Sequence, residues 1–381
     1  MSNLHSILSA SAAKRWTECP PSAKLNEGVE ERASPYAMQG TDAHTLGQYF
    51  IEDEFGIPTR DPTEDLTYYD QEMQECAEIY LATVKEKVAE VKETYPEPVI
   101  LVEQRVKFDQ WVPGGFGTAD CIILADGTIH VIDYKHGAGI LVPAENNIQM
   151  KCYALGALSL FGDIYDIDNI CMTIVQPRKD NISSWSISTD ELLTWADEYL
   201  KPRAELAYKG EGEFNAGSHC QFCKIKATCR KRAEANLELA KHEFALPDTL
   251  DDTEISVILS KVDDLVSWAN DVKEYALNQA LAGHKFDGYK LVEGRSTRKY
   301  IDEDAVAVAV SNAGYDPYEH KVLGVTAMTK LLGKTNFEDI LGAYISKPQG
   351  KPTLVPNTDK RPEFNSAVSD FNDNIGGKNY E

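Results

Sequence analysis

The feature that most restricts the fold is a series of short β-rich runs crowded into residues 99–176 and interrupted by one long helical stretch. The runs at 99–106, 120–124, 129–135 and 170–176 are rich in Val and Ile and too short for independent helices. Between the second and third lies Ala125-Asp126-Gly127-Thr128, a hairpin turn signal. The segment 144–160 reads as a helix, as do 40–54, 71–92 and 189–208. The order helix, three strands, helix, strand, helix predicts an α/β fold with a mixed central sheet.

The chain has 381 residues, too many for one ordinary core. The expected division is a domain over 1–235, a mainly helical appendage over 236–346, and an extended or mobile tail over 347–381. Residues 233–282 are helical in pattern with a break at Leu246-Pro247-Asp248, and 289–292 suggests a short strand. Further helices are expected at 302–313, 326–332 and 337–345. The N-terminal 35 residues are polar, with a stiff Cys19-Pro20-Pro21 turn. No run reaches the ~18 apolar residues of a membrane helix. The start lacks the basic-then-apolar order of a secretion signal. A cytoplasmic protein without membrane partners is expected.

The sharpest chemical signal is Asp133-Tyr134-Lys135 in the third β-run. A strand has period two, so Asp133 and Lys135 share a face and Tyr134 points the other way. Such a pair alone is ordinarily a plain ion pair. Asp120, at the start of the strand joined to this one by the hairpin, changes its meaning. The two carboxylates are placed to meet at one end of neighbouring strands, and a hard divalent cation removes their repulsion. Oxygen ligands of this kind suit Mg²⁺ or Mn²⁺. Such a cation lowers the pKa of a bound water, and a lysine beside it orients that water or stabilises developing negative charge.

With Gly117-Thr118 ahead of Asp120, this arrangement resembles the core of the PD-(D/E)XK nuclease superfamily, and more closely its RecB-type branch. Gly40-Thr41-Asp42-Ala43-His44 matches the branch's helical G-x-x-x-H pattern, and Gln149-Met150-Lys151-Cys152-Tyr153 its Q-x-x-x-Y pattern. The resemblance implies a restriction-endonuclease-like core. It makes His44, Asp120 and Asp133 metal ligands, together with the Tyr134 carbonyl, and Lys135 the catalytic lysine. It gives Gln149 and Tyr153 roles in holding the site or the DNA. Glu103 is a further acidic candidate. It alternates with Arg105 and Lys107 on a strand face opposite Val102, Val106 and Phe108, a face that either borders the cleft or is simply solvated.

Three of the eight cysteines, Cys220, Cys223 and Cys229, fall within ten residues, too local for a disulfide framework. Three thiolates leave a tetrahedral site one ligand short; zinc and a [4Fe–4S] cluster both accept four cysteines, and His219 offers a local fourth ligand for zinc. The resemblance favours iron–sulfur. RecB-type nucleases of the AddAB and CRISPR-adaptation kinds hold a cluster with one cysteine before the core and three after it, which here implies Cys19 with the triplet. A crosslink between such distant positions has a large loop-entropy effect.

The net charge is −23, from 38 basic and 61 acidic residues, which by itself argues against nucleic-acid binding. Phosphate affinity depends on local charge, however. Lys224, Lys226, Arg230, Lys231 and Arg232 make five of nine consecutive residues basic beside the cysteine triplet, and are the candidate DNA contacts. Arg295, Arg298 and Lys299, and Lys347, Lys351, Lys360 and Arg361, form weaker basic groups. The whole chain, including residues 350–356 and 359–362, resembles a group of bacteriophage and prophage proteins. That implies work in replication or recombination, with a single-strand-binding or annealing protein as partner. The expected function is metal-dependent DNA hydrolysis, most simply by an exonuclease acting on ends or single strands. The alternative is a non-catalytic, cluster- or zinc-stabilised nucleic-acid-binding accessory protein.

Overall fold

In a computed structural model, which describes residues 6–29, 35–238, 251–293, 300–318, 322–346 and 355, the β-rich runs build one five-stranded mixed sheet. Its strands are β1 (Val99–Lys107), β2 (Phe116–Ala125), β3 (Gly127–Tyr134), β4 (Ile167–Gln176) and β5 (Asn181–Ser188), in spatial order 1-2-3-4-5. All neighbours are antiparallel except β3 and β4. The β2–β3 hairpin closes over Asp126-Gly127, with Ala125 paired to Thr128 and Gly127 at φ +84°. That left-handed conformation is why glycine follows the aspartate.

The helices that precede the sheet are α1 (Ala13–Glu18), α2 (Ser22–Asn26), α3 (Pro35–Glu54) and α4 (Gln71–Lys92). Helix α5 (Ile148–Phe161) makes the crossover between the parallel strands β3 and β4. After β5 come α6 (Thr189–Trp195), a wider π-turn over Ala196–Leu200, α7 (Lys201–Lys209), α8 (Arg230–Leu237), α9 (Asp252–Leu259) and α10 (Val262–Leu281). One apolar layer packs α3 and α4 on the sheet through Leu46, Tyr80, Val84, Cys121, Ile123, Ile132 and Tyr134. The opposite layer packs α1, α5 and α6 through Trp16, Ile122, Ile129, Val131, Met150, Leu155 and Leu192. Alternate residues of β3 therefore serve different cores, as the period of two requires.

The chain divides into two compact units, Met1–His284 and Lys285–Glu381. In the second, helices α11 (Glu303–Asn312), α12 (Val325–Leu332) and α13 (Lys334–Leu341) follow one another, and Asp302 caps the first by accepting from the Ala305 N–H at 2.9 Å.

The α/β class and the strands expected at 99–106, 120–124, 129–135 and 170–176 are present, each somewhat longer. Four features differ from the sequence reading. Strand β5 was not anticipated; Asn-Ile-Ser-Ser-Trp-Ser-Ile-Ser carries too few apolar residues to stand out. The polar N-terminal segment contains α1 and α2, with Trp16 fully buried. Residues 289–292 form no strand. In β1 the expected alternation fails: Val102 packs with the α3/α4 layer and Val106 with the α5 layer. Glu103, at φ +47°, lies between them, and an L-residue in that conformation turns the strand over. The break at 246–248, the basic groups Arg295, Arg298, Lys299 and Lys347, Lys351, Lys360, Arg361, and the expected tail apart from Val355 lie outside the described residues.

Candidate metal centre and cysteine pocket

The backbone inversion at Glu103 gathers the acidic groups. Its register neighbour across the β1–β2 pair is Asp120: Val102 pairs with Cys121 and Gln104 with Ala119. Beyond this point β2 also changes faces, with Cys121 in the α3/α4 layer and Ala119 in the α5 layer. Helix α3 brings His44 to the same place. One donor atom each from His44, Glu103 and Asp120 lie within 4.8 Å of one another, the one such trio of His, Cys, Asp or Glu among the described residues.

Each member is held. His44 Nδ1 is 3.4 Å from Asp120 Oδ1, and its ring tilts against Tyr134 at 5.5 Å between centroids. Tyr134 stacks on Tyr80 at 4.8 Å, nearly parallel, and its hydroxyl meets His136 Nδ1 at 3.1 Å. The Tyr134 N–H donates to Asp120 Oδ2 at 2.7 Å. Gly47 leaves room for this stack, since a Cβ there would lie 3.0 Å from the Tyr80 ring.

Asp133 and Lys135 adjoin this trio on the α5 side. Lys135 Nζ lies 2.8 Å from Asp133 Oδ2 and donates to Oδ1 at 3.1 Å. Gln149 ties the set to α5: its Nε2 donates to Asp133 Oδ1 at 3.2 Å and to the Tyr153 hydroxyl at 3.0 Å, and its Oε1 accepts from Lys135 at 3.4 Å. Tyr153 lies against Gly117, where any Cβ would come within 2.6 Å of the ring. That contact is a steric reason for the glycine before Asp120.

Proton affinities across the site are strongly perturbed. Burial opposes charge on His44, but Asp120 outweighs it and lifts the imidazole to about 9. Burial, then the charge of Asp120, lifts Glu103 to about 7. Burial also pushes Asp120 upward, yet His44 and Lys135 hold it below the ordinary carboxylate range. Asp133 is raised by burial despite Lys135. Burial works against the Lys135 ammonium, but Asp133 and Asp120 keep its pKa above normal. Around neutral pH, protons on His44 and partly on Glu103 offset the crowded negative charge. Two buried oxygens, Tyr80 Oη and Asp133 Oδ2, have no well-formed hydrogen bond. An imidazole nitrogen, converging carboxylate oxygens and charge offset by protons fit a hard divalent cation.

Of the residues singled out from sequence, His44, Asp120, Glu103, Asp133, Lys135, Gln149 and Tyr153 come together. The tightest trio contains Glu103, whereas Asp133 is engaged with Lys135 and Gln149, and Tyr134 contributes its N–H to Asp120. Tyr80 and Gln176, whose part is described below, were missed.

The four cysteines also meet. Cys19 caps the C-terminal end of α1, and with Cys220, Cys223 and Cys229 it lines a cavity of about 330 Å³ that opens to solvent. Asn26 stitches the two distant segments together: its Nδ2 donates to Cys223 Sγ at 3.3 Å and its Oδ1 accepts from the Lys224 N–H at 2.6 Å. Among the described residues no three of these sulfurs fall within 4.8 Å of one another. His219 Nε2 lies 3.0 Å from the Asn215 carbonyl oxygen. In the neighbouring basic run, Arg232 is buried against Asp271 of α10, which also takes Lys226 at 2.9 Å. Lys224, Arg230 and Lys231 are exposed.

Among the described residues no helix is long and apolar enough to cross a membrane. A crystal structure described as that of SSO0001 matches 57% of this chain and 96% of its own, at 15% identity and a TM-score of 0.23. The model for the family described as a protein of unknown function, DUF2800, matches residues 5–362, and the chain belongs to that family.

Proposed function

We propose that this protein is a divalent-cation-dependent DNA nuclease with a restriction-endonuclease-like core. The observation that carries the reading is the approach of His44, Glu103 and Asp120 to within 4.8 Å beside the Asp133–Lys135–Gln149 set. In this reading His44, Glu103 and Asp120 hold Mg²⁺ or Mn²⁺, with Asp133 next to them. When bound, the cation supplies a Lewis acid for a phosphate oxygen and a water of lowered pKa.

The chain's own residues do the rest. Lys135, kept as an ammonium by Asp133 and Asp120, acts as a charge and hydrogen-bond donor toward phosphate or water rather than as a base. Asp133 and Gln149 fix its direction, and Tyr153 braces Gln149. A water oxygen attacks phosphorus, the bond to one ester oxygen breaks, and the proton lost by water ends on the leaving oxygen or in solvent. The products are a phosphomonoester and a hydroxyl end.

The cysteine pocket is proposed to hold a [4Fe–4S] cluster. A lone zinc with bonds of ~2.3 Å draws its sulfurs to about 3.8 Å from one another. The wider spacing here suits a cluster better. Exposed Lys224, Arg230 and Lys231 are the proposed backbone contacts of this region.

The test is cleavage of end-labelled single- and double-stranded DNA with Mn²⁺. The wild-type chain is expected to cut and Lys135→Ala to lose at least a hundredfold in rate with the fold unchanged. A variant as fast as wild type overturns the assignment.

A further inference from the structure

The segment 136–144 joins Lys135 at the end of β3 to the cap of α5, so it runs between two parts of the candidate site. Its sequence, His-Gly-Ala-Gly-Ile-Leu-Val-Pro-Ala, contains no acidic residue in a chain of net charge −23. It is not a loose loop. Gln176, only 2% exposed at the end of β4, clamps it from beneath: Nε2 donates to the carbonyls of Gly137 at 2.8 Å and Ile140 at 2.7 Å, and Oε1 accepts from the Val142 N–H at 3.1 Å. Asn181 Nδ2 donates to the Val142 carbonyl at 3.0 Å, and the Ala144 N–H donates to Ser183 Oγ at 3.0 Å. A buried amide with three bonds to one loop fixes its shape.

What this clamp presents is apolar. Ile140 and Leu141 are 50% and 49% exposed at the tip, while Val142 turns inward onto the core. Folding would tend to cover such a pair; here a buried glutamine on one side and Val142 on the other leave it standing outward.

We propose that Ile140 and Leu141 form an apolar wedge that packs against the bases of a single-stranded or frayed DNA end and so selects that substrate. The proposal rests on the nuclease reading above and names its substrate class. Two arguments identify the occupant. An uncharged loop in an acidic protein lets a polyanion approach without repulsion, and the tip flanks Lys135 and Gln149, so a strand lying in the site must pass it. Aliphatic wedges of Ile and Leu stack against or between bases, and removing a base-stacking contact costs about 1–3 kcal/mol, or roughly five- to 150-fold in affinity.

The experiment uses the full chain in EDTA, where no cleavage occurs, and single-stranded DNA with 2-aminopurine at its end. Wild type is expected to change the 2-aminopurine fluorescence on binding. The Ile140→Ser/Leu141→Ser variant is expected to bind about tenfold more weakly with that change lost, and Ile140→Trp to regain it. With Mn²⁺ added, the double variant is expected to lose cleavage of single strands through KM rather than kcat. If wild type cuts DNA and the double variant matches it in binding, fluorescence and KM, the wedge is wrong and the nuclease reading stands. If wild type neither binds nor cuts DNA, the nuclease reading falls and the wedge falls with it.

Discussion

Glu103 shows how one residue can reshape a site. Its φ of +47° inverts the strand and lets its carboxylate join Asp120 and His44. A buried polar residue elsewhere in the sheet lends itself to a cleaner test. His130 is 8% exposed on β3, and its Nδ1 has no hydrogen-bond partner. Burial, aided by Lys87, depresses its pKa to about 4. The folded state therefore keeps His130 neutral while the unfolded chain takes up a proton near pH 6.5. Below pH 6.5 the unfolded state binds more protons, so stability falls as the pH drops and levels off near 4. At most about 3 kcal/mol is lost over that window. Urea unfolding at pH 5 and 7.5 should show this drop in wild type and a smaller one in His130→Phe; equal slopes would show that His130 is not buried neutral. The local signs for Asp133, Lys135, His44 and Gln149 were legible in the sequence because each lies on a regular element whose period fixes its direction. The backbone inversion was not, because nothing in Val-Glu-Gln announces a left-handed glutamate. Gln176 stayed hidden for a different reason: its role depends on a loop folding back over it.

At the scale of elements, two close approaches decide how α5 sits on the sheet. A Cβ on Gly117 would lie 2.6 Å from the Tyr153 ring, and one on Gly156 would lie 2.8 Å from Val106 Cβ. Both Gly→Ala changes overpack the core and are expected to cost about 1–3 kcal/mol. They should differ in function. Gly117→Ala pushes on the Tyr153–Gln149–Asp133 chain, while Gly156→Ala presses on the strand behind the site. Melting temperatures should fall for both, and DNA cleavage below the new melting point should fall much further for Gly117→Ala. Equal residual activities would separate Tyr153 from the site. The strands at 99–125 and the α5 crossover could be read from hydrophobic period and turn chemistry. Strand β5 could not, because four serines mask its alternation and its order comes from pairing with β4. The helix expected over 189–208 is real but widens through a π-turn at Ala196–Leu200, a distortion that periodicity averages away.

At the scale of the molecule, Cys19 and the triplet link the first helix of the sheet-bearing unit to the segment that follows α7. In the chain-entropy limit, a crosslink closing so long a loop contributes roughly 5 kcal/mol. Cys19→Ser is therefore expected to lower iron content and melting temperature together and to open both chain segments to proteolysis. A colourless wild-type protein with stoichiometric zinc would refute the cluster and leave the metal centre untouched. The sequence pattern foretold that the cysteines would meet, but not that Asn26 would bridge their segments or that Asp271 would engage Arg232 and Lys226. Both contacts join residues far apart in the chain and carry no local signature.

The most direct test is Mn²⁺ binding, followed by electron paramagnetic resonance on the full chain and on Glu103→Gln. If His44, Glu103 and Asp120 form a cation site, wild type takes up Mn²⁺ and the variant binds it at least tenfold more weakly with its fold intact. Unchanged Mn²⁺ affinity in Glu103→Gln, or no binding by wild type, would contradict the account.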